Sequence, residues 1–163
     1  MRDLLPTAAK LGAILKDRKQ TLAVAESSTG GLISAAMLSV GGASAYYIGG
    51  AVIYTIASRE AILQITDADL AGGRAATEAY ALLMARRLGA KLSTTWTIAE
   101  TGATGPTGNR YGDPAGHTCI AVVGPMERSM TLRTGSADRI ENMRAFAAAA
   151  LDLFGACLTA HPG

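Results

Sequence analysis

Residues 21–40 read TLAVAESSTGGLISAAMLSV, and this stretch decides the fold class of the 163-residue chain. The apolar run that ends at Glu26 predicts a buried strand, and LISAAMLSV at 32–40 has the apolar spacing of a helix. Between them, SSTGG is a tight loop of small residues. A strand that turns through such a loop directly into a helix is typical of α/β layered domains.

The rest of the chain continues this alternation. The predicted elements are a helix over 4–17, an extended segment over 45–55, a short helix over 58–63, a helix that begins after Thr77 and ends at Gly89, strands over 94–100, 117–124 and 129–134, and a last helix from about Asp138 with Ile140, Met143, Ala147, Leu151, Phe154 and Leu158 on one face. The last two strands are expected to pair antiparallel. The predicted fold class is α/β: one domain over residues 1–163, a compact three-layer α/β/α arrangement with a mixed, largely parallel sheet.

Composition excludes several function classes. Hydrophobic residues make up 49% of the chain, charged residues 17%, and the net charge is +2. A disordered chain is therefore excluded, and the lack of a basic run beyond KDRK at 16–19 argues against nucleic-acid binding. Residues 27–58 carry no Asp, Glu, Lys or Arg, but paired glycines interrupt them, so no membrane span is predicted. Cys119 and Cys157 are interpreted as buried free thiols, and with no signal peptide the protein is predicted to be cytoplasmic.

Three junctions between predicted elements share small, hydroxyl-bearing residues, namely AESSTGG at 25–31, the glycine-rich segment 100–116 and TGSADR at 134–139. Backbone N–H groups at such junctions approach anions closely, so three of them favour a small anionic ligand over simple turns. Arg139 opens the last helix, where its charge opposes the helix dipole and needs a partner. Either a neighbouring carboxylate of Asp138 or Glu141, or a ligand phosphate or carboxylate, would meet that need.

A metal or cofactor site is not predicted. His117 and His161 are the only two histidines. Glu26, Glu100 and Asp113 could gather near the loops, but their spacing specifies no metal. The sequence has no Walker motif and no G-x-G-x-x-G.

The ordered set of motifs resembles the CinA C-terminal domain family, which includes the nicotinamide mononucleotide deamidases. The matching segments are AESSTGG at 25–31, G-x-S at 42–44, GGAVIYTIASR at 49–59, ETGATGP at 100–106, PAGHT at 114–118 and TGSADR at 134–139. The resemblance covers nearly the whole chain and implies an α/β layered fold. It also implies hydrolysis of the carboxamide of nicotinamide mononucleotide to the nicotinate nucleotide and ammonia.

The resemblance implies roles for individual residues. Ser44 matches the nucleophile, Tyr54 a proton-relay partner, and Arg59 the position of the family lysine. The implied substrate-binding residues are Glu26, Ser27, Thr29, Gly30, Thr101, Gly102 and Arg139. Of these, Arg139 would hold the phosphate, and Glu26, Ser27 and Thr29 would organise the pocket floor.

Departures from the family pattern leave the activity open. The usual Y-S-N-x-x-K reads Y-T-I-A-S-R at 54–59, Ser28 replaces a cysteine, and Asp113 replaces a basic residue. Arginine keeps its proton and cannot act as the base that a lysine can provide. Three functions therefore remain: an enzyme that uses Tyr54, activated by Arg59, or His117 as base; a hydrolase of another anionic amide or ester; and a non-catalytic nucleotide-binding relative.

The uncharged span also bears on assembly. Residues around 45–53 are expected to face another copy of the chain, giving a homo-oligomer with sites near the interface. Burial inside one subunit explains the absence of charge as well.

Overall fold

The computed structural model describes residues 1–162. Its strands and helices are, in chain order, α1 (Leu5–Arg18), β1 (Leu22–Glu26), α2 (Leu32–Leu38), β2 (Tyr47–Val52), α3 (Ile56–Ser58), which continues as a π-helical turn (Arg59–Leu63), α4 (Glu78–Leu92), β3 (Trp96–Ala103), β4 (His117–Val123), β5 (Glu127–Arg133) and α5 (Arg139–Ala160). Short 3₁₀ turns cover Arg2–Leu4, Ala43–Ala45 and Ala68–Leu70.

The strands form one sheet in the order β2-β1-β3-β4-β5. β1 is parallel to both β2 and β3, whereas β4 is antiparallel to β3 and β5. Four of the five strands thus run in one direction, and the predicted mixed sheet and antiparallel final hairpin are confirmed. β2 lies at the edge of the sheet.

The side-chain alternation of β1 explains the three layers. Leu22 and Val24 point into a core shared with α1, α2 and α5, while Ala23 and Ala25 pack on the other side against α4. The larger core holds Trp96, which is fully buried. Because successive strand side chains face opposite sides, a strand buried on both faces reads as the continuous apolar run seen in the sequence.

The helix that begins after Thr77 has the predicted N-cap, since Thr77 Oγ1 accepts a hydrogen bond from Tyr80 N at 3.2 Å. The predicted stop at Gly89 is wrong, because α4 continues to Leu92. A Cβ at Gly89 would lie 2.5 Å from Thr97 Oγ1. The glycine therefore allows α4 to pack closely on the sheet instead of ending the helix.

The last helix, α5, begins after Asp138 as predicted, with Glu141 N donating to Asp138 Oδ1 at 2.9 Å. Its length of 22 residues, with a mean hydropathy of 1.4 over an 18-residue stretch, would also suit a membrane span. The face that carries Phe146 and Phe154 is buried in the larger core, as in a core helix of an α/β domain. Ile140, predicted on that face, is instead 62% exposed, because the first turn of the helix extends beyond the core.

Candidate functional site

Glu26 ends β1 and is fully buried beneath the start of α2. Its carboxylate accepts hydrogen bonds from the backbone N–H groups of Gly31 (3.0 Å), Ile33 (2.9 Å) and Ser34 (2.8 Å), and from the hydroxyl of Ser34 (2.5 Å). Thr29 Oγ1 donates to it at 2.8 Å. The protein's own carboxylate therefore occupies the positive end of the α2 dipole.

Glu100 lies next to Glu26, on the neighbouring strand β3, and is also fully buried. It accepts hydrogen bonds from the backbone N–H groups of Ser27 (3.2 Å) and Thr29 (2.9 Å). The hydroxyl groups of Ser28 and Thr118 donate to its other oxygen, the latter at 2.9 Å. Thr29 Oγ1 lies 2.9 Å from Glu100, so one hydroxyl joins the two carboxylates.

This acidic cluster, Glu26 and Glu100 with the loop 27–31, corrects one prediction. The first glycine-rich junction was expected to offer its N–H groups to an anionic ligand. The structure shows those of Ser27, Thr29 and Gly31 bonded to the two glutamates, so this junction does not hold a ligand anion. Glu26, Thr29 and Gly30 organise the loop and do not line the adjacent cleft.

The cleft lies at the carboxyl ends of the parallel strands β1, β2 and β3, on the same side of the molecule as the acidic cluster. It has a volume of about 570 Å³. Five residues of the predicted site line it, namely Ser27, Tyr54, Arg59, Thr101 and Gly102. Ligands of α/β proteins bind at the carboxyl ends of the strands because helix N-termini and loops meet there.

Tyr54 follows β2 and is 61% exposed. Arg139 Nη2 donates to its hydroxyl at 3.0 Å, and Arg139 Nη1 donates to the carbonyl of Gly105 at 2.7 Å. Of the two kinds of partner that the sequence allowed, the neighbouring carboxylates of Asp138 and Glu141 are not bonded to Arg139 within residues 1–162. The arginine beside Tyr54 is Arg139 rather than Arg59, whose hydrogen bonds go elsewhere.

Arg59 begins the π-helical turn after α3, and its side chain is only 5% exposed. The guanidinium donates to Asp67 at 2.8 Å and to Glu60 at 3.4 Å. Burial lowers its pKa, but the two carboxylates and nearby Tyr80 outweigh this and raise it above its ordinary value. Arg59 is a permanently charged ion-pair residue and not a base.

Ser44 lies apart from the other predicted catalytic residues. It is exposed in the 3₁₀ turn before β2, whereas Tyr54 follows the end of the same strand. A six-residue strand spans roughly 20 Å. Within one chain, Ser44 therefore does not reach the cleft.

The sequence analysis singled out the glycine-rich segment 100–116 but none of the individual residues of its 109–111 loop, which lies on the far side of the cleft. Asn109, Arg110 and Tyr111 line the cleft, and the loop is tied down by Asp113. Arg74 donates two hydrogen bonds to that carboxylate, at 2.5 and 3.0 Å. These bonds, together with one from Asn109, lower the pKa of Asp113 to about 2, although burial alone would raise it. The available signal was a charged and an aromatic residue between two glycines in the segment GNRYGD.

His117 does not line the cleft. Its buried Nε2 lies 3.0 Å from the carbonyl of Ala76 and 3.8 Å from Asp113. The ring anchors the segment before α4, which disfavours His117 as the base.

The ionisable groups that line the cleft are three tyrosines (Tyr54, Tyr80, Tyr111) and two arginines (Arg59, Arg110). Burial raises the pKa of Tyr80, which Arg59 partly offsets. Within residues 1–162, no group of three or more His, Cys, Asp or Glu side chains could hold a metal ion. Such a cleft suits an anionic or carbonyl-bearing ligand and chemistry at a hydroxyl or phenol group.

Comparison with known proteins agrees with this architecture. The sequence profile of the CinA C-terminal domain matches residues 5–158. A CinA-like protein of Salinibacter ruber is 36% identical over 144 residues, covering 88% of this chain and 35% of that protein. One from a Picosynechococcus strain is 41% identical over 130 residues, covering 77% of this chain and 30% of that protein. The chain thus spans about a third of the length of the curated relatives it matches.

Solved structures show the same fold. A competence-damaged protein (CinA) superfamily protein from Klebsiella pneumoniae superposes with a TM-score of 0.90 at 25% identity, covering 96% of this chain and 98% of that one. A competence/damage inducible protein from Agrobacterium tumefaciens gives 0.88 at 27% identity, covering 94% of each chain. On the profile match and these likenesses, the chain belongs to the CinA C-terminal domain family.

Proposed function

We propose that this chain is an amidohydrolase that converts the carboxamide of nicotinamide mononucleotide to the carboxylate and ammonia. The observation that carries the proposal is the cleft in which Ser27, Tyr54 and Arg59 meet. Its volume of about 570 Å³ lies in the range of small-molecule sites. The reaction class comes from the resemblance to the deamidases of this family.

In the proposed reaction, a serine Oγ attacks the carboxamide carbon, and Tyr54 accepts the serine proton and passes it to the leaving nitrogen, which departs as ammonia. Water then hydrolyses the serine ester, so that carboxamide and water give carboxylate and ammonium. Arg139 Nη2 donates to the Tyr54 hydroxyl at 3.0 Å, which orients that oxygen and places a positive charge beside it. Tyr54 would thus replace the lysine that the family motif has at position 59.

Ser27 is the serine that this geometry favours as nucleophile. It lines the cleft, and the hydrogen bond from its backbone N–H to Glu100 fixes its place at the end of β1. Within residues 1–162 its hydroxyl makes no hydrogen bond, so it is free to meet a substrate.

Ser44 becomes a second candidate in a homo-oligomer, which we also propose. The outer edge of β2 is unpaired and exposes Ile48 (49%) and Val52 (45%). If two copies paired these edges antiparallel about the midpoint between Gly49 and Gly50, Ser44 of one copy would lie opposite Thr55 of the other, next to Tyr54. A charge-free edge strand has none of the lysines that commonly block such pairing.

The test is ammonia release from nicotinamide mononucleotide by the wild type, Ser27→Ala and Ser44→Ala. We expect activity in the wild type and in Ser44→Ala, and none in Ser27→Ala. The opposite pattern would move the nucleophile to Ser44. In that case, mixing Ser44→Ala with Tyr54→Phe should restore part of the activity, because mixed oligomers contain one intact cleft. A monomer by light scattering at micromolar concentration would rule out the shared site.

The second candidate function is a nucleotide-binding relative without catalysis. It is favoured by one observation: in the part of the chain that the structure describes, no lysine, histidine or carboxylate lines the cleft. Binding of nicotinamide mononucleotide without ammonia release would support it. Activity that appears only in Arg59→Lys would show a preserved pocket that has lost its base.

The buried free cysteines suit a reducing compartment, in keeping with the predicted cytoplasmic location.

A further inference from the structure

The three arginines around the cleft differ in how the protein neutralises them. Arg59 contacts the carboxylates of Asp67 and Glu60. Arg139 donates to the hydroxyl of Tyr54 and to a backbone carbonyl. Arg110 is exposed, lines the cleft, and within residues 1–162 has no carboxylate partner. Of the three, it keeps the most donor capacity for a ligand.

The backbone that carries Arg110 is held in place on both sides. Asn109 Oδ1 accepts hydrogen bonds from the backbone N–H groups of Tyr111 (3.0 Å) and Asp113 (3.1 Å). Asn109 N donates to the carbonyl of Asp113 at 3.0 Å, and Arg74 grips the carboxylate of Asp113. The loop 109–113 is therefore a closed turn anchored to the segment before α4.

Tyr111 orders the Arg110 side chain itself. The Arg110 guanidinium lies 5.0 Å from the ring centroid of Tyr111, and its Nη2 donates to the Tyr111 hydroxyl at 2.9 Å. Arg74 approaches the same ring at 5.3 Å. A guanidinium held against an aromatic ring loses less rotamer freedom when it binds a ligand.

We infer that Arg110, presented by the 109–113 turn, is the phosphate subsite of the cleft. A guanidinium binds two oxygens of a phosphate monoester at once. Among residues 1–162, arginines and no carboxylate line the cleft, and such a lining attracts a dianion. The family resemblance instead assigns the substrate phosphate to Arg139, which in this structure donates a hydrogen bond to Tyr54. The inference rests on the proposed nucleotide substrate for its biological meaning, but its chemistry requires only a phosphate monoester.

The experiment is calorimetric titration of nicotinamide mononucleotide, nicotinamide riboside and inorganic phosphate into the wild type, Arg110→Gln and Arg110→Lys. Arg128→Gln is the matched control, because Arg128 is an exposed arginine on β5, the strand at the opposite edge of the sheet from β2. We expect Arg110→Gln to weaken mononucleotide binding about tenfold or more and to leave riboside binding unchanged. The mononucleotide affinity of Arg110→Lys should fall between those of the wild type and Arg110→Gln, and the affinity of Arg128→Gln should match that of the wild type.

Equal mononucleotide affinity in the wild type and Arg110→Gln would overturn the inference, as would an equal loss for mononucleotide and riboside. The inference would also be overturned if the wild type bound neither the mononucleotide nor inorganic phosphate. Because binding and ammonia release are separate measurements, the two proposals can fail separately. Phosphate-dependent binding through Arg110 without ammonia release would remove the amidohydrolase assignment and keep the subsite.

Discussion

The acidic cluster and the cleft both lie at the carboxyl ends of the parallel strands, and both receive residues from the ends of β1 and β3. The acidic cluster contains two fully buried carboxylates whose oxygens receive donors from the surrounding loop and helix. The cleft next to it contains arginines, phenols and hydroxyl groups, and none of the described residues 1–162 contributes a carboxylate to its lining. Ser27 belongs to both, since its backbone N–H donates a hydrogen bond to Glu100 and the residue lines the cleft.

This difference separates structural from functional polarity. Buried charges that the protein itself satisfies order a loop and a helix start, and they leave little capacity for a ligand. Polar groups that face an open volume with donors to spare can bind one. The glycine-rich motif 25–31 forms the ordered loop beside the cleft and contributes Ser27 to its lining, and the residues after β2 and in the 109–113 turn supply the other polar groups.

The largest expected effect is in the acidic cluster. Glu26→Gln turns an amide NH₂ toward groups that are already donors, such as the N–H and hydroxyl of Ser34. We expect a loss of about 2–4 kcal/mol in the free energy of unfolding, measured by urea titration. Glu127→Gln is the matched control, because Glu127 is exposed and pairs with Arg86 at the surface, where an ion pair contributes about 0–1 kcal/mol. Equal losses in the two variants would contradict the comparison.

The cleft should respond in the opposite way. Tyr54→Phe removes only a hydroxyl that is exposed and bonded to Arg139, so the free energy of unfolding should change little. Loss of the proposed base should lower kcat for ammonia release about 100-fold or more, with a smaller effect on KM. Steady-state kinetics and a thermal melt of the same sample check both halves. A variant with full kcat would remove Tyr54 from the mechanism.

A smaller, pH-dependent effect is expected at the anchor of the 109–113 turn. The pKa of Asp113 is about 2 in the folded protein, below its ordinary value of 3.8, chiefly because Arg74 donates to it. A depressed carboxylate pKa stabilises the fold above the ordinary value, and this contribution is lost as the pH falls from about 4 to about 2. Because Arg74 is 38% exposed, we expect only about 1–2 kcal/mol at neutral pH.

The measurement is the difference in free energy of unfolding between the wild type and Asp113→Asn across this pH range. The difference should shrink toward pH 2, where about half of the Asp113 side chains in the folded protein are protonated. A difference that stays constant from pH 7 to pH 2 would show that the ion pair does not determine the stability of this turn.

How much of the candidate site could be predicted depends on how far apart its parts lie in sequence. The strand–loop–helix unit around Glu26 was readable because its hydrophobic pattern is local. Tyr54, Arg59, Thr101 and Gly102 were found through motif order. The pairing of Arg139 with Tyr54 could not be, because it joins residues 85 positions apart.

The sequence by itself determined the layered α/β class, the order of the elements and the chain's place in its family. Each of these follows from apolar periodicity, cap residues and motif order, which act over a few residues at a time. Tertiary structure alone decided that the Ser-Ser-Thr-Gly-Gly loop serves two glutamates, that Gly89 allows close packing within a helix, and that Ser44 and Tyr54 lie at opposite ends of β2. These outcomes depend on which strands become neighbours and which groups burial forces into hydrogen bonds, and neither is a property of any short segment.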